Sequence, residues 1–173
     1  MTISQPSPVL LRPATEADLA AINAIYNFYV RTSTATFDLE KVSLEERRQW
    51  FQRHRERYPV LVAEAAGEVV GWCSASPFHL RPGYRQTVED SVYLQDAWRG
   101  RGVGRLLLAA LLREVVRLGY HSVMALIGDS ANEASVRLHA NLGFRQVGIE
   151  REVGYKFDRW LDVVLMQWQA PQP

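Results

Sequence analysis

The sequence predicts a mixed α/β (α+β) fold: a mostly antiparallel, twisted sheet of about six to seven strands with helices on both faces. Three observations carry this. Short apolar runs alternate with segments of helical period along the whole chain. Two of those runs, Val60 to Glu64 and Glu68 to Ala75, meet at Ala66-Gly67 and form a hairpin. The stretch 87–127 reads strand, helix, strand, a crossover that makes one parallel pair.

The elements follow in order. Residues 1–8 form a loose lead-in with Pro6 and Pro8, ahead of one domain within the span 1–173. Val9-Leu10-Leu11 is a first strand. Thr15 opens a helix with Asp18 in its first turn and Leu19, Ile22, Ile25 and Tyr29 along one face. Residues 31–37 break that period and form a Thr-rich loop. Ser43-Leu44-Glu45-Glu46 is a capping box, and its helix runs towards Tyr58 until Pro59 ends it. The charge runs 45–48 and 53–57 read as a solvated helix face. After the hairpin, residues 77–86 are a loop punctuated by proline and glycine, and Thr87 to Leu94 is a strand. A helix from Gly104 to Leu118 stops at Gly119, a left-handed cap position. Val123 to Ile127 is apolar throughout, as in a strand covered on both faces. Ser130-Ala131-Asn132-Glu133 is a second capping box whose helix reaches Gly143. Phe144 to Val153 and Trp160 to Trp168 are the closing strands.

Bulk properties narrow the function. A chain of 173 residues with net charge +1 has no global basic field to recruit nucleic acid or an anionic membrane. Its single cysteine, Cys73, lies in an apolar run and is expected to be a buried, inert thiol in a reducing cytoplasm. No apolar stretch has membrane-spanning length.

Positive charge is concentrated in one place. Arg99-Gly100-Arg101-Gly102-Val103-Gly104 joins a strand directly to the leucine-rich helix beginning at Arg105. The first amides of a helix have no internal partners and sit at the positive end of its dipole. Glycines let a phosphate approach the backbone, and arginines add full charges. The spacing excludes a P-loop, which needs four residues between its glycines and then Gly-Lys-Ser/Thr. A dinucleotide fingerprint also fails, because Gly-Val-Gly-Arg-Leu-Leu lacks the third glycine.

What remains, Arg-x-x-Gly-x-Gly between strand and helix, resembles the pyrophosphate loop of the GNAT acetyltransferases, and the element order resembles their fold. A second segment supports this: Asn132 near the start of a short helix that closes at Gly143-Phe144. Further stretches, among them Leu11 to Thr15, Thr32 to Phe37, Tyr58 to Glu64, Thr87 to Tyr93, Ser135 to His139 and Gly154 to Val163, resemble the phosphinothricin and methionine sulfoximine/sulfone acetyltransferases. Asp90 departs from the His or Ser expected there.

The resemblance implies acetyl-CoA as co-substrate, no metal, a small amine or amino acid analogue as acceptor, and a homodimer, with aromatics near Trp160 and Trp168 compatible with the last. It places the acyl donor on Val92, Tyr93 and Leu94, on Arg99, Gly100, Arg101, Gly102, Val103, Gly104 and Arg105, and on Asn132, Ser135 and Asn141. Glu89, which interrupts an apolar strand, is either the general base or an ordinary solvent-facing carboxylate. His139 either protonates the departing thiolate or holds Tyr93 or a water; Tyr93 is the other candidate acid, or packs in the core. An amide near Val92, freed by a strand irregularity, is the expected oxyanion donor. Phe37, Arg81, Tyr84, Val88 and Glu89 are expected around the acceptor, with Arg81 on its carboxylate. Alternative acceptors are a protein N-terminus, a polyamine or an aminoglycoside; a non-catalytic acyl-CoA module or an RNA-contacting loop would use the same glycine turn.

Overall fold

The computed structural model describes residues 8–54 and 57–171. Residues 1–7 of the expected lead-in, and residues 55 and 56 of the second charge run, lie outside them. The chain runs β1 (Leu10–Pro13), α1 (Leu19–Thr32), α2 (Leu44–His54), β2 (Val60–Ala65), β3 (Glu68–Pro77), β4 (Thr87–Leu94) and α3 (Val103–Arg117). It closes with β5 (Ser122–Gly128), α4 (Glu133–Ala140), β6 (Arg145–Lys156) and β7 (Arg159–Gln169). The strands form one seven-stranded sheet in the order β1-β2-β3-β4-β5-β7-β6. Among the described residues only β4 and β5 are parallel, joined by the crossover through α3. The expected mixed, mostly antiparallel sheet is therefore observed.

The sheet's alternation sorts its side chains between two layers. On one face, Val88, Cys73, Ala75, Val123 and Ala125 pack with Leu107, Leu108, Leu111 and Val115 of α3. On the other, Val62, Val69 and Trp72 pack with Leu19, Ile22, Ile25 and Tyr29 of α1. Cys73 is the expected core thiol, fully buried against the Leu107 carbonyl.

Several boundaries differ from the sequence reading. Thr15 caps a short 3₁₀ turn, Glu16–Asp18, before α1 begins, and Asp18 Oδ2 accepts from the Thr15 amide at 2.7 Å. Arg31 and Thr32, expected in the loop, finish α1. The Ser43–Glu46 box forms, with Ser43 N donating to Glu46 at 2.8 Å. The box expected at Ser130–Glu133 does not: α4 starts at Glu133, Asn132 is its N-cap, and the helix ends at Ala140. A side chain that accepts from Ser135 N at 3.3 Å fixes the start two residues later than the motif suggested. The charge runs on α2 are not wholly solvated either. Arg47 and His54 are buried between α2 and the sheet, because the helical period turns every third or fourth residue inward.

Candidate active site

β4 and β5 pair only from Thr87 opposite Ser122 to Glu89 opposite Met124. Both strands then continue, β4 to Leu94 and β5 to Gly128, without pairing. Strands that part leave one edge of each without ladder partners and open a wedge at the carboxyl end of the parallel pair, where open α/β sheets bind ligands. The wedge is a cleft of about 1160 Å³, bounded by β4, β5, the start of α3, α4 and the 33–38 segment. The strand irregularity expected near Val92 takes the form of this splay and not of a bulge. The β3–β4 register is unbroken from Gly71 opposite Leu94 to Pro77 opposite Val88.

One end of the cleft is the start of α3. Gly102 is its N-cap at φ +81°, a conformation that strains any residue with a Cβ, and no side chain caps the first turn. Arg99, Gly100, Gly102, Gly104 and Arg105 line the cleft there. Arg101 and Val103 do not. Arg101 stacks over Trp98 at 5.1 Å, and the Val103 side chain is buried in the core, leaving only its backbone at the turn. Asn132, Ser135 and Asn141 of the α4 region line the opposite wall.

At the apex, Glu89 and Asp90 project to opposite faces of β4. Glu89 lies in the cleft wall, and burial, followed by the charge of Asp90, pushes its carboxyl up to about 7. Asp90 turns towards α4 and meets His139, with Nε2 3.0 Å from Oδ2. Both side chains are almost fully buried. The Ser135 carbonyl lies 2.7 Å from His139 Nδ1, so that nitrogen must carry a proton and donate it. Burial lowers the imidazole's pKa, but the charge and hydrogen bond of Asp90 and the Ser135 carbonyl raise it above the ordinary value. His139 therefore holds Asp90 and not Tyr93, and each ring nitrogen has a protein partner. Tyr93 packs in an aromatic cluster with Tyr26, Tyr29 and Trp72, its hydroxyl 3.5 Å from the Ala35 carbonyl. Burial pushes its pKa far above the usual range, which makes it a poor acid.

The 33–38 segment covers the cleft. Phe37 lies where Gly128 and Gly154 leave room; a Cβ on Gly154 would overlap its ring. Lys156, buried, donates to the Ser33 carbonyl at 2.9 Å and the Thr36 carbonyl at 2.7 Å, and so ties the segment to β6. Arg81, Tyr84 and Val88, expected around the acceptor, are not brought to this cleft. Arg81 and Tyr84 are exposed on the 3₁₀ turn region at Pro82–Tyr84, where Tyr84 packs on Phe78 and His79. Val88 is fully buried beneath α3, because alternation turns it away from Glu89.

Sequence reasoning missed three residues of the region: Asp90 as the partner of His139, Lys156 as the anchor of the 33–38 segment, and Arg47 in the cleft wall. Asp90 had a signal, as an acid beside Glu89 on an apolar strand. Lys156 stood only within the stretch 154–163 that carries the resemblance, and Arg47 read as part of a solvated helix face.

A family model described as an acetyltransferase (GNAT) domain matches residues 11–165. The chain belongs to the GNAT acetyltransferases. It is 46% identical over 159 residues to the L-methionine sulfoximine/L-methionine sulfone acetyltransferase of Pseudomonas aeruginosa, covering 91% of this chain and 92% of that one. It is 42% identical to the phosphinothricin N-acetyltransferase of Streptomyces coelicolor, covering 90% and 92%. Among solved structures, a putative acetyltransferase of Salmonella typhimurium with acetyl-CoA superposes at TM-score 0.93 and 41% identity, over 96% of each chain. A structure described as a ribosomal-protein-alanine N-acetyltransferase from Brucella melitensis gives 0.90 and 45%, over 93% and 99%. The chain is thus a GNAT enzyme that transfers an acetyl group to nitrogen.

Proposed function

We propose that this enzyme transfers acetyl from acetyl-CoA to the α-amine of a small amino acid analogue of the methionine sulfone, methionine sulfoximine or phosphinothricin type. The observation that carries the reading is Glu89 in the cleft wall at the point where the strands part, its carboxyl poised near neutral pH. An alkyl ammonium must lose a proton before its nitrogen can attack. A carboxylate whose conjugate acid titrates near 7 accepts that proton and remains a competent base at the same pH.

Glu89 takes the proton directly or through a water. The nitrogen lone pair attacks the thioester carbonyl, and the oxyanion that forms meets a backbone amide on the unpaired edge of β4 beyond Glu89. The C–S bond then breaks, and the second nitrogen proton leaves as the thiolate becomes a thiol. The diphosphate end of the donor rests on the first turn of α3 with Arg99 and Arg105, and its arm runs between β4 and α4 past Asn132 and Ser135. Phe37 walls the acceptor pocket. No enzyme nucleophile takes part.

The names of the relatives at 46% and 42% identity support this acceptor class, and detoxification is the role it suggests. We place the enzyme in the cytoplasm, where a lone reduced Cys73 is stable. We also propose a homodimer. Val147, Val153 and Tyr155 on edge strand β6, with Trp160 on β7, are all more than half exposed, which a second copy would cover.

The test is a panel of amines with acetyl-CoA and detection of the released thiol: methionine sulfone, methionine sulfoximine, phosphinothricin, spermidine and short peptides. The amino acid analogues should give the highest kcat/KM. A preference for peptides, as the name of the Brucella structure would suggest, or for spermidine, would replace the acceptor assignment.

A further inference from the structure

Arg47 is a cation that pairs with no carboxylate among the described residues. It projects from α2 into the cleft wall and is almost completely buried. Its guanidinium lies 4.6 Å from the Tyr26 ring centre, 4.7 Å from Trp50 and 5.6 Å from Trp72. Among the described residues its one side-chain hydrogen bond is from Nε to Asn23 Oδ1, at 3.3 Å. Both terminal nitrogens are without an acceptor among those residues. The nearby carboxylate of Asp38 is held by the Tyr26 hydroxyl at 2.7 Å. Burying a guanidinium is costly unless its donors are used, and aromatic faces alone leave the in-plane N–H groups unspent.

A second orphan lies beside it. Trp72 Nε1 is buried and has no hydrogen-bond partner, and its ring also lines the cleft. Trp72 pairs with Tyr93 and Ser76 with Glu89 in one unbroken β3–β4 register, so this indole and Glu89 lie on the same face of the sheet. The guanidinium and the indole lie together in the wall of the cleft that also holds Glu89, and neither the fork nor the indole N–H has an acceptor among the described residues. Donors without acceptors in a walled pocket suit an oxyanion.

We infer that Arg47, with Trp72 Nε1, binds an oxyanion of the acyl acceptor, and so selects acidic amines over polyamines. The inference rests on the proposed acceptor class and names the residues that read it. The α-carboxylate and a side-chain phosphinate offer the same chemistry, and the test separates them.

The experiment is a calorimetric titration of the CoA-loaded enzyme with methionine sulfone, methionine sulfone carboxamide and phosphinothricin. The proteins are wild type, Arg47→Gln, Arg47→Lys and Trp72→Phe, each checked for an unchanged thermal midpoint. Arg47→Gln should weaken the acids by about 10-fold or more, the loss of a charged hydrogen bond, and the carboxamide by less than about twofold. Arg47→Lys should restore part of the loss, and Trp72→Phe, which removes the N–H together with one ring of the indole, should show a smaller one than Arg47→Gln. Loss confined to phosphinothricin assigns the phosphinate; loss for methionine sulfone assigns the carboxylate. Equal weakening of the carboxamide, or unchanged affinity for both acids, overturns the inference. Turnover is read separately: acids bound through Arg47 but not acetylated would sink the acceptor assignment and leave the anion site standing. A wild-type enzyme that binds neither acid refutes both.

Discussion

Glu89 and Asp90 are adjacent carboxylates given different tasks by the two faces of one strand. Glu89 is desolvated in the cleft wall and kept near neutrality, whereas Asp90 is committed to an imidazole. Replacing Glu89 with Gln should lower kcat by about 10²–10⁴-fold with little change in the thermal midpoint, since it removes a base and no packing. The Asp90–His139 pair acts on stability. Its histidine is shifted upward in the folded protein, so its contribution is complete below the ordinary imidazole pKa of about 6.5 and is lost as pH rises through the higher folded value. Thermal midpoints measured from pH 6 to 9 should therefore fall for wild type, and fall less for Asp90→Asn; identical profiles would remove the pair from the account. At this scale the sequence was uneven. Glu89 was legible because an acid interrupts an apolar strand. The partner of His139 was not, because a contact between residues 49 positions apart leaves no local pattern.

Among the elements, the glycine turn before α3 and the 33–38 segment depend on different uses of glycine. Gly102 adopts a left-handed backbone that starts the helix without a side-chain cap, while Gly154 is required for space. Gly154→Ala should displace Phe37 and destabilise the protein by about 1–3 kcal/mol, the usual cost of overpacking. It should also raise KM for the acceptor more than for acetyl-CoA, because Phe37 walls the proposed acceptor pocket. A denaturation midpoint and KM values like those of wild type would show that Phe37 has another place to go. Helix and strand identities were readable from period and apolar runs. Their ends were less so, as at α4, where the motif at Ser130 lost to the cap at Asn132. The split between β4 and β5 was not readable at all: residues 90–94 and 125–128 look like ordinary paired strands, and only the ladder, which stops at Glu89 opposite Met124, shows that they part.

In the whole molecule, the sheet carries its chemistry at the centre and its exposed aromatics at one edge. If that edge is a dimer surface, wild type should sediment as a dimer and Trp160→Asp should shift it towards monomer; a monomeric wild type at assay concentration would remove the dimer. The exposed turn carrying Arg81 and Tyr84 was expected at the acceptor and instead lies outside the cleft of its own chain. Loop composition suggested a basic site, but a loop's direction is set by the strands it joins. The most direct test of the central claim, that Glu89 at the point where the strands part drives acetyl transfer, is the pH dependence of kcat/KM with methionine sulfone and acetyl-CoA. Wild type should lose activity tenfold per unit below about pH 7, and that limb should vanish in Glu89→Gln, while any limb from the amine itself remains. A wild-type profile flat from pH 5 to 8, or the same limb retained in Glu89→Gln, would contradict it.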